Sequence, residues 1–434
     1  MTRIPDIIAA KRDGGELADE EIARIVLDYA SDRIPDYQMS AFLMAAYIRG
    51  LNSRETVALT RAMVDSGAML NFSAITGTKV DKHSSGGVGD KTTLVVVPIL
   101  AACGLKVPKM SGRGLGFTGG TLDKIESIPG LTTALDIDRF TRQVARIGAA
   151  IAGQSPDIVP ADKKIYALRD VTATVDSIPL IAASIMSKKI ACGSDIILID
   201  VKVGSGAFMR DKQAARDLSR MLMAIGRSFG RRTAVAVTDM SQPLGNAVGN
   251  ALEVTEAIET LKGGGPTDLR ALCVELSAII LDIAGHCASH DECMAMAASA
   301  IDSGAALDLF RQIVEAQGGD PDVIKDPSLL PRATTKVEVT GPKSGIVESI
   351  DCASIGRASC VLGAGRERKE DSIDPAVGIV VTKKLGDRVA KGEPLAVIHA
   401  NDRERIPTAQ QMILDAYTIG DSAPSVRLIH EVIR

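Results

Sequence analysis

The sequence predicts an α/β fold in three parts: a small helical domain, a mixed, mostly parallel α/β domain and a C-terminal β-rich α+β domain. Three observations support this prediction. Residues 4–66 carry helical patterns without a catalytic constellation. From Lys79 onward, strand-like and helix-like stretches alternate, which is typical of a parallel sheet covered by helices. Beyond Val337, short Val, Ile and Thr runs are separated by Gly and Asp, as in a β-rich domain.

The N-terminal stretch is predicted to form short helices. Pro5 and Pro35 suit the first turn of a helix, where the N–H that proline lacks has no partner in any case. Asn52 and Glu55 have the spacing of a capping box ahead of an apolar helix face. Residues 161–190 return to a helical pattern, so helical and α/β stretches are interleaved along the chain.

Strands and helices are predicted to alternate in the middle of the chain. The apolar run 195–202 ends in charged residues, as expected for a strand buried on both faces. Ligands of parallel sheets bind at the carboxyl ends of the strands, so we expect a site in the loops that follow them. The predicted strands are 105–110, 149–152, 195–202 and 233–238, and the predicted helices are 94–101, 138–147 and 211–229.

The last third of the chain is predicted to be structural. Amphipathic helices follow a Gly-rich loop at 263–265, and residues 318–331 are predicted to be a linker. The stretch 385–395 resembles a lipoyl or biotinyl hairpin, but the nearby turn at 398–402 has no lysine that could be modified. We therefore expect no carrier function.

Composition excludes several classes of function. Hydrophobic residues make up 46% and charged residues 24%, as in ordinary globular proteins. The net charge of −4 gives no general attraction to nucleic acid or to an anionic membrane. Aromatic residues are only 3%, without Trp, and no apolar run approaches the roughly 20 residues of a membrane span. The sequence predicts neither a nucleic-acid partner nor a membrane partner.

The seven cysteines are scattered along the chain. An odd count without paired spacing argues against a disulfide framework and favours a reducing cytoplasm. His286, Cys287, His290 and Cys293 could in principle ligate zinc. Because neither a Cys-x2-Cys pair nor a second ligand pair is present, we favour an ordinary turn between helices there.

Two glycine-rich loops, KHSSGGVGDK and SGRGLGFTGG, lie between Lys79 and Glu126. Glycine allows the backbone to approach a ligand closely, and hydroxyl and ammonium groups suit phosphate. This region has seven Lys or Arg against four Asp or Glu, a local charge of +3. The first loop is not a P-loop, since Asp90 separates the last Gly from Lys91. The sequence therefore predicts a phosphate site.

These residues resemble the thymidine/pyrimidine-nucleoside phosphorylase family. The run from Ser111 to Glu126 fits the family signature at every restricted position, and the resemblance covers essentially the whole chain. Further matching stretches are Lys82–Asp90, Tyr166–Asp170, Asp176–Ile181 and Asp200–Phe208. The resemblance implies a homodimeric enzyme of pyrimidine salvage that converts uridine, thymidine or deoxyuridine plus phosphate to free base and α-(deoxy)ribose 1-phosphate, with inversion and no organic cofactor.

The resemblance also implies a division into domains on either side of a cleft. Residues 1–68 and 158–192 would form a helical domain that makes the dimer contact and the base side of the cleft. Residues 69–157 and 193–335 would form the phosphate-binding α/β domain, and 336–434 the C-terminal domain. The segments 66–78, 153–160 and 192–194 are candidate hinges.

Site residues follow from the resemblance position by position. For the base it implies Arg169, Ser184 and Lys188; Ser184 and Lys188 are spaced i, i+4 and share a helix face. The alternative for Arg169 is a salt bridge, for example with Asp170. His83 could donate to the leaving base or be structural. Catalytic roles are expected for His83, Arg169 and Lys188, and phosphate contacts for Lys82, Ser84, Thr93, Lys109, Ser111 and Thr121.

Two departures from the family pattern concern potassium and specificity. The resemblance implies a potassium ion at Gly89, Lys91, Leu244, Ala247 and Glu256. Lys91 stands where some members have Thr; its carbonyl could bind a cation, but its ammonium would oppose one. Phe117 stands where many members have His, which removes a polar group near the site.

Three alternative functions remain open at this point. A strict thymidine phosphorylase is the first, although Lys109-Met110-Ser111 and Ser241–Gly245 look closer to the broad-specificity branch. A related phosphoribosyltransferase would need Mg²⁺ and a carboxylate set that the Gly-rich loops lack. A non-catalytic interaction protein is the third, and an assay of base release with phosphate would distinguish it.

Overall fold

The structure, a computed structural model, describes residues 2–114, 116–366 and 371–434, so Leu115 of the second loop motif lies outside the described residues. The helices are α1 Ile4–Arg12, α2 Asp19–Ala30, α3 Asp36–Arg49, α4 Ser53–Asp65, α5 Thr92–Ala102, α6 Thr121–Ile125, α7 Ile137–Ile147, α8 Pro160–Val171, α9 Ile178–Ala191, α10 Lys212–Ser228, α11 Asn250–Leu261, α12 Thr267–Ala284, α13 His290–Asp302, α14 Ala305–Ala316, α15 Cys352–Leu362 and α16 Ile406–Ala416. The strands are β1 Val80–Ser84, β2 Val107–Met110, β3 Ala149–Ala152, β4 Ile196–Val203, β5 Arg232–Asp239, β6 Ala247–Val248, β7 Thr335–Thr340, β8 Gly345–Ile350, β9 Gly378–Val381, β10 Arg388–Val389, β11 Pro394–Ala400, β12 Tyr417–Gly420 and β13 Ile429–Ile433.

Helices α1–α4 pack with α8 and α9 into the predicted helical bundle. Its core buries apolar side chains from both stretches of sequence, among them Phe42, Leu59 and Ile165. The predicted capping box is present at the start of α4. The Asn52 side chain accepts from the Glu55 N–H at 2.9 Å, and the Glu55 carboxylate accepts from the Asn52 N–H at 3.0 Å. The helical stretches that the sequence separates therefore form one unit.

The central sheet has the strand order β1-β4-β5-β13. Strands β1, β4 and β5 are parallel, and β13 is antiparallel to β5. Every residue of β4 is buried, as its apolar run predicts. The parallel pair β2–β3 is joined to this sheet by a bridge between Lys79 and Lys106. The predicted mixed, mostly parallel sheet is confirmed.

The C-terminal part is β-rich, as predicted, and it exchanges strands with the α/β part. Its sheets are β10-β8-β12 and β6-β9-β11-β7. Strand β6 comes from the α/β sequence and pairs with β9, while β13 returns to the edge of the central sheet. The prediction places all of 336–434 in the C-terminal domain, whereas strand β13 pairs with β5 of the central sheet. The predicted linker contains two short 3-10 helices, Pro321–Ile324 and Pro327–Leu329. The predicted domain boundaries stay predictions.

The three candidate hinge segments lie against one another. The Ala68 N–H donates to the Asp157 carbonyl at 2.7 Å, and a Cβ on Gly193 would lie 2.7 Å from the Leu70 carbonyl oxygen. A Cβ on Gly67 would lie 2.3 Å from the Asp157 carbonyl oxygen, so the first two segments touch at a position that only glycine fits. The crossings between the helical and α/β parts therefore form one compact junction.

The structure corrects the expectation about cysteines. Cys287 and Cys293 form a disulfide at the turn between α12 and α13, so the argument from unpaired spacing fails for this pair, although a single bond is not a disulfide framework. The two cysteines are six positions apart in the sequence, and the turn brings them together. The His290 ring contacts Glu275 at 2.9 Å. Within the described ranges, no three His, Cys, Asp or Glu side chains are grouped to hold a metal ion.

Membrane spanning can be judged for the described helices. None of them alone is long and apolar enough to cross a membrane. The bent pair α13 and α14 together reach that length and composition. Apolar side chains of both helices, including Ile301 and Phe310, lie in the protein core.

Candidate active site

Both glycine-rich loops lie at the carboxyl edge of the parallel strands. The first follows β1 and the second follows β2, as predicted. The Lys109 ammonium at the end of β2 donates to the carbonyl of Lys82 in β1 at 2.6 Å. Two residues from the predicted phosphate set are thus in direct contact. Helix α5 starts just after the first loop, so the positive end of its dipole points to the same edge.

Lys82 lies in a buried network of alternating charges. Its ammonium is 2.9 Å from the Asp200 carboxylate, which also pairs with Lys202 at 2.8 Å. Burial alone would lower the pKa of Lys82, but Asp200 and Asp90 outweigh burial and raise it. Burial likewise opposes ionisation of Asp90, and Lys82, Lys202 and Lys124 hold its pKa well below its usual range. Lys82 and Asp90 therefore stay charged at neutral pH.

A second buried cluster joins Asp81, Lys109 and Lys189. The Asp81 carboxylate lies 3.2 Å from the Lys109 ammonium and 2.9 Å from that of Lys189. Lys189 belongs to α9 and also donates to the Met110 carbonyl at 2.7 Å. Burial, with repulsion from Lys189 and Lys82, lowers the pKa of Lys109 to about 7 despite Asp81. Sequence reasoning missed Lys189, because only the fold brings it to β1 and β2.

The other predicted phosphate residues surround the two loops. The Ser84 hydroxyl accepts from the Gly86 N–H at 3.1 Å and shapes the turn of the first loop. Thr93 lies buried in the first turn of α5. The Ser111 N–H donates to the Ala152 carbonyl at 2.9 Å, and Thr121 begins α6. Phosphate binding by these residues stays a prediction.

Helix α6 connects the second loop to the first. The Asp123 carboxylate accepts from the Gly114 N–H at 2.6 Å and from Arg113 at 2.9 Å. The buried Lys124 ammonium donates to the Asp90 carbonyl at 2.8 Å and pairs with Glu253 at 2.7 Å. These contacts join the two loops to each other through α6.

Ser184 and Lys188 lie together on α9, as their spacing predicts. The Lys188 ammonium donates to the Ser184 hydroxyl at 2.9 Å and forms an ion pair with Asp162 of α8. Asp162 is buried, whereas Lys188 is partly exposed. Sequence reasoning missed Asp162, since no local pattern links it to α9. The ion pair holds the ammonium in place before a base arrives.

Arg169 is buried at the C-terminal end of α8 and organises the following loop. Its guanidinium donates to the carbonyls of Thr174 at 3.1 Å, Val175 at 2.5 Å and Leu180 at 3.0 Å. Burial lowers its pKa from the usual value. Three of the five N–H groups of an arginine are thereby engaged. The two remaining N–H groups of Arg169 are left for the predicted contact with the base, which stays a prediction.

His83 lies half-buried in β1, beneath the lysines of the site. Burial, followed by repulsion from Lys189, Lys109 and Lys188, holds its pKa well below the usual range. The ring is therefore neutral at pH 7. A neutral imidazole still has one N–H, which it can donate to a leaving base. The predicted role of His83 is therefore limited to donation from the neutral ring, and that role stays a prediction.

The five residues implied for potassium lie together in the structure, and the ammonium group of Lys91 is at their centre. Lys91 Nζ donates to the carbonyls of Leu244 and Ala247, each at 2.9 Å, and forms an ion pair with Glu256. Burial alone would lower the pKa of Lys91, but Glu256 and Glu253 outweigh burial and raise it. The oxygens that would bind potassium already accept from this cation. Potassium therefore does not fit beside Lys91.

Phe117 packs at the edge of the second loop. Its ring centroid is 5.9 Å from that of Phe208, and the Arg357 guanidinium lies 6.0 Å from the ring centre. Phe208 in turn lies beside Gly86 of the first loop. An apolar pair of aromatic rings thus borders the site at the position where many family members would have a polar histidine.

Lys82 and Lys109 are buried at the carboxyl edge of the parallel strands, and Lys189 of the helical unit reaches the same edge. Comparisons with known families show the class of protein to which this arrangement belongs, the glycosyltransferases. Residues 5–67 match the family described as Glycosyl transferase family, helical bundle domain, and residues 76–307 match Glycosyl transferase family, a/b domain. Residues 346–420 match Pyrimidine nucleoside phosphorylase C-terminal domain.

Similar proteins make the class more specific. Pyrimidine-nucleoside phosphorylase of Bacillus subtilis (strain 168) is 49% identical over 431 residues, 99% of each chain. That of Geobacillus stearothermophilus is 51% identical over 413 residues, 95% of each chain. The chain belongs to the pyrimidine-nucleoside phosphorylase family of glycosyltransferases. Anthranilate phosphoribosyltransferase from Thermus thermophilus shares the fold, with a TM-score of 0.60 and 18% identity over 72% of this chain and 99% of that one.

Proposed function

We propose that this protein catalyses phosphorolysis of pyrimidine nucleosides, yielding free base and α-(deoxy)ribose 1-phosphate. The observation that carries the proposal is that Lys188 and Lys189, consecutive residues of α9, point to different parts of the site, because successive helical residues differ in direction by about 100°. Lys189 reaches Asp81 and the end of β2, beside the predicted phosphate donors, while Lys188 lies beside Ser184 and Asp162 on the predicted base side. Helix α9 thus contributes a lysine to the predicted phosphate side and another to the predicted base side of the site.

The chemistry needs a fixed phosphate and a stabilised leaving base. A phosphate oxygen forms the new bond to the anomeric carbon as the bond from that carbon to the pyrimidine nitrogen breaks. The electron pair of the broken bond stays on the pyrimidine and spreads onto its carbonyl oxygens. Lys188, preorganised by Asp162, neutralises this charge, and Arg169 adds a second cation. Attack from the face opposite the base inverts the anomeric configuration.

Base release in the presence and absence of phosphate tests this proposal. We expect purified protein to release uracil from uridine and thymine from thymidine only when phosphate is added. Lys188→Met, which removes the ammonium, should be slow in both reactions. A protein that releases no base with phosphate, but uses phosphoribosyl pyrophosphate and Mg²⁺, would favour the phosphoribosyltransferase alternative. No turnover in either assay would favour an interaction protein.

We also infer a broad substrate range that includes uridine, thymidine and deoxyuridine. The apolar pair of Phe117 and Phe208 supports this inference, since neither ring can hydrogen-bond a sugar hydroxyl and so discriminate between ribose and deoxyribose. The ratio of kcat/KM for uridine and thymidine measures the range. A ratio that strongly favours thymidine would indicate the strict enzyme instead.

A homodimer through the helical unit is the third part of the proposal. Helix α3 exposes large apolar side chains: Tyr37 at 74%, Ile48 at 69%, and Met44 and Tyr47 at 37% each. Tyr37, Met44 and Ile48 follow one face of α3, because residues four or seven positions apart lie on the same side of a helix. A second copy would cover this face. Ile48→Glu should shift the mass measured by light scattering from dimer to monomer, and an unchanged mass would exclude this face.

A cytoplasmic location stays part of the proposal. Cys103, Cys192, Cys273 and Cys352 keep their thiols, as a reducing compartment would leave them. The Cys287–Cys293 bond stands against that inference. Thiol counting on protein extracted under alkylating conditions would decide between the two.

A further inference from the structure

We propose that the Lys91 ammonium is the resident cation of the site where the family resemblance places potassium, so that this protein joins its phosphate loop to its C-terminal sheet without a metal ion. The tethered cation is always present and needs no ion from solution. The proposal concerns the assembly of the loops, and its tests measure stability and ion binding, so it does not depend on the proposed reaction.

The surroundings of Lys91 Nζ form a cation site. Two backbone carbonyls, those of Leu244 and Ala247, lie 2.9 Å from the nitrogen, and the Glu256 carboxylate completes the set. Carbonyl and carboxylate oxygens are the ligands that hard cations prefer. An ammonium has three N–H donors, and here each has an acceptor. The Lys91 side chain is completely buried, so water does not compete for these oxygens.

The site has no room for a second cation. A Cβ on Gly89 would lie 2.8 Å from the Leu244 carbonyl oxygen and 3.1 Å from that of Ala247. A Cβ on Gly245 would lie 3.0 Å from Lys91 Nζ. The backbone therefore closes tightly around the ammonium, and a potassium ion among the same oxygens would be repelled by it. Lysine and potassium are alternatives in this site.

Lys91 connects three parts of the molecule. It directly precedes α5 and ends the first glycine-rich loop, and Glu256 lies on α11. Leu244 lies in the turn before β6, and Ala247 is the first residue of β6, which pairs with β9. One buried cation thus ties the phosphate loop to the C-terminal sheet, and a variant without it should weaken all three attachments together.

Removing the ammonium while keeping the oxygens should recreate an ion site. We expect Lys91→Thr to have a lower Tm in NaCl and to recover part of the loss in KCl at equal ionic strength, with a saturable dependence on potassium. The wild type should have the same Tm in both salts. Crystals of Lys91→Thr soaked in thallium(I), which mimics potassium, should give an anomalous peak between the Leu244 and Ala247 carbonyls. The wild type should give none.

Lys384 provides a matched control, because its ammonium binds a carbonyl of the same turn from the loop between β9 and β10. Its ammonium donates to the Gly245 carbonyl at 2.6 Å and to Asp268 at 3.0 Å, outside the Lys91 site. Lys384→Thr should lower the Tm equally in NaCl and KCl, because Lys91 still fills the site. Lys91→Met, which fills the space without a charge, should also lose stability equally in both salts.

Two results would overturn the proposal. A potassium-specific, saturable rise in the Tm of the wild type would mean that an ion binds in addition to Lys91. A folded Lys91→Thr with equal Tm in both salts and no thallium peak would mean that these oxygens do not form a cation site. If Lys91→Thr folds in neither salt, the comparison of the wild-type Tm in NaCl and in KCl still tests the proposal.

Discussion

Lys189 and Asp81 form a buried ion pair between the helical unit and the central sheet, with 2.9 Å between Nζ on α9 and the carboxylate on β1. Both side chains are almost completely enclosed. The same ammonium also holds the Met110 carbonyl. Separating a buried pair leaves an uncompensated charge, so any relative motion of the two units should pivot about this contact and leave it intact.

Lys189→Met should destabilise the protein by about 3 kcal/mol, because it leaves Asp81 with Lys109 as its remaining partner. Urea unfolding followed by circular dichroism measures the change. The control is Lys163→Met, an exposed lysine on the neighbouring helix α8, which should have little effect. Equal stability of the two variants would show that the Lys189 pair does not join the units.

We expect the cleft to close when nucleoside and phosphate bind together. In-line attack needs the phosphate oxygen and the sugar carbon within roughly 3–3.5 Å, and an open cleft cannot hold that distance. The radius of gyration from X-ray scattering should fall with both ligands bound. Gly67→Ala, whose added methyl would meet Asp157 and Pro160 at the junction, should reduce the fall. Gly264→Ala, in an open loop, is the control, and identical scattering with and without ligands would refute closure.

Lys188→Ala should lower turnover by about 10²-fold, corresponding to about 3 kcal/mol of lost transition-state stabilisation. The reason is that Asp162 and Ser184 hold the ammonium on the predicted base side of the cleft, where we expect charge to develop on the leaving base. Steady-state kinetics with uridine measure the effect, and urea unfolding checks the fold. Lys163→Ala serves as the control on α8. A folded Lys188→Ala with nearly normal turnover would remove Lys188 from the catalytic residues.

Phosphate binding at pH 8 should take up a proton at Lys109. The pKa of Lys109 is lowered to about 7, so at pH 8 the amine is mostly neutral in the free protein. Bound phosphate favours the charged ammonium and raises this pKa, so binding must draw a proton from the buffer. Calorimetry in buffers of different ionisation enthalpy measures the uptake.

Lys109→Met removes the titrating group and should abolish this uptake, whereas at pH 6 even the wild type should take up little, since Lys109 is already charged. Phosphate itself changes protonation near neutral pH, and the difference between wild type and variant cancels that contribution. Equal proton uptake by the two proteins would show that Lys109 does not titrate with phosphate.

Local patterns in the sequence predicted local geometry well. The i, i+4 spacing of Ser184 and Lys188 placed both on one helix face, and the contact between their side chains is present. The capping residues Asn52 and Glu55 and the fully buried strand β4 followed from the same kind of reasoning. In these cases neighbouring residues alone determine the structure.

Partners that are distant in sequence could not be predicted. Nothing near Lys188 indicates Asp162, and nothing near Asp81 indicates Lys189, because each pair forms only after helices and sheet have packed. The ammonium of Lys91 was expected to oppose a cation, and only the fold shows it among the Leu244 and Ala247 carbonyls. Ion pairs and hydrogen bonds between residues that are distant in sequence therefore could not be predicted from the sequence alone.

Strand β13 has a consequence for how the chain acquires its structure during synthesis. It covers the edge of β5, yet the whole C-terminal part is translated between the two strands. Until β13 emerges from the ribosome, the hydrogen-bonding edge of β5 has no partner strand on that side, and such edges recruit other chains. The growing polypeptide therefore passes through a long period in which its central sheet is open to aggregation, when a chaperone would be most useful.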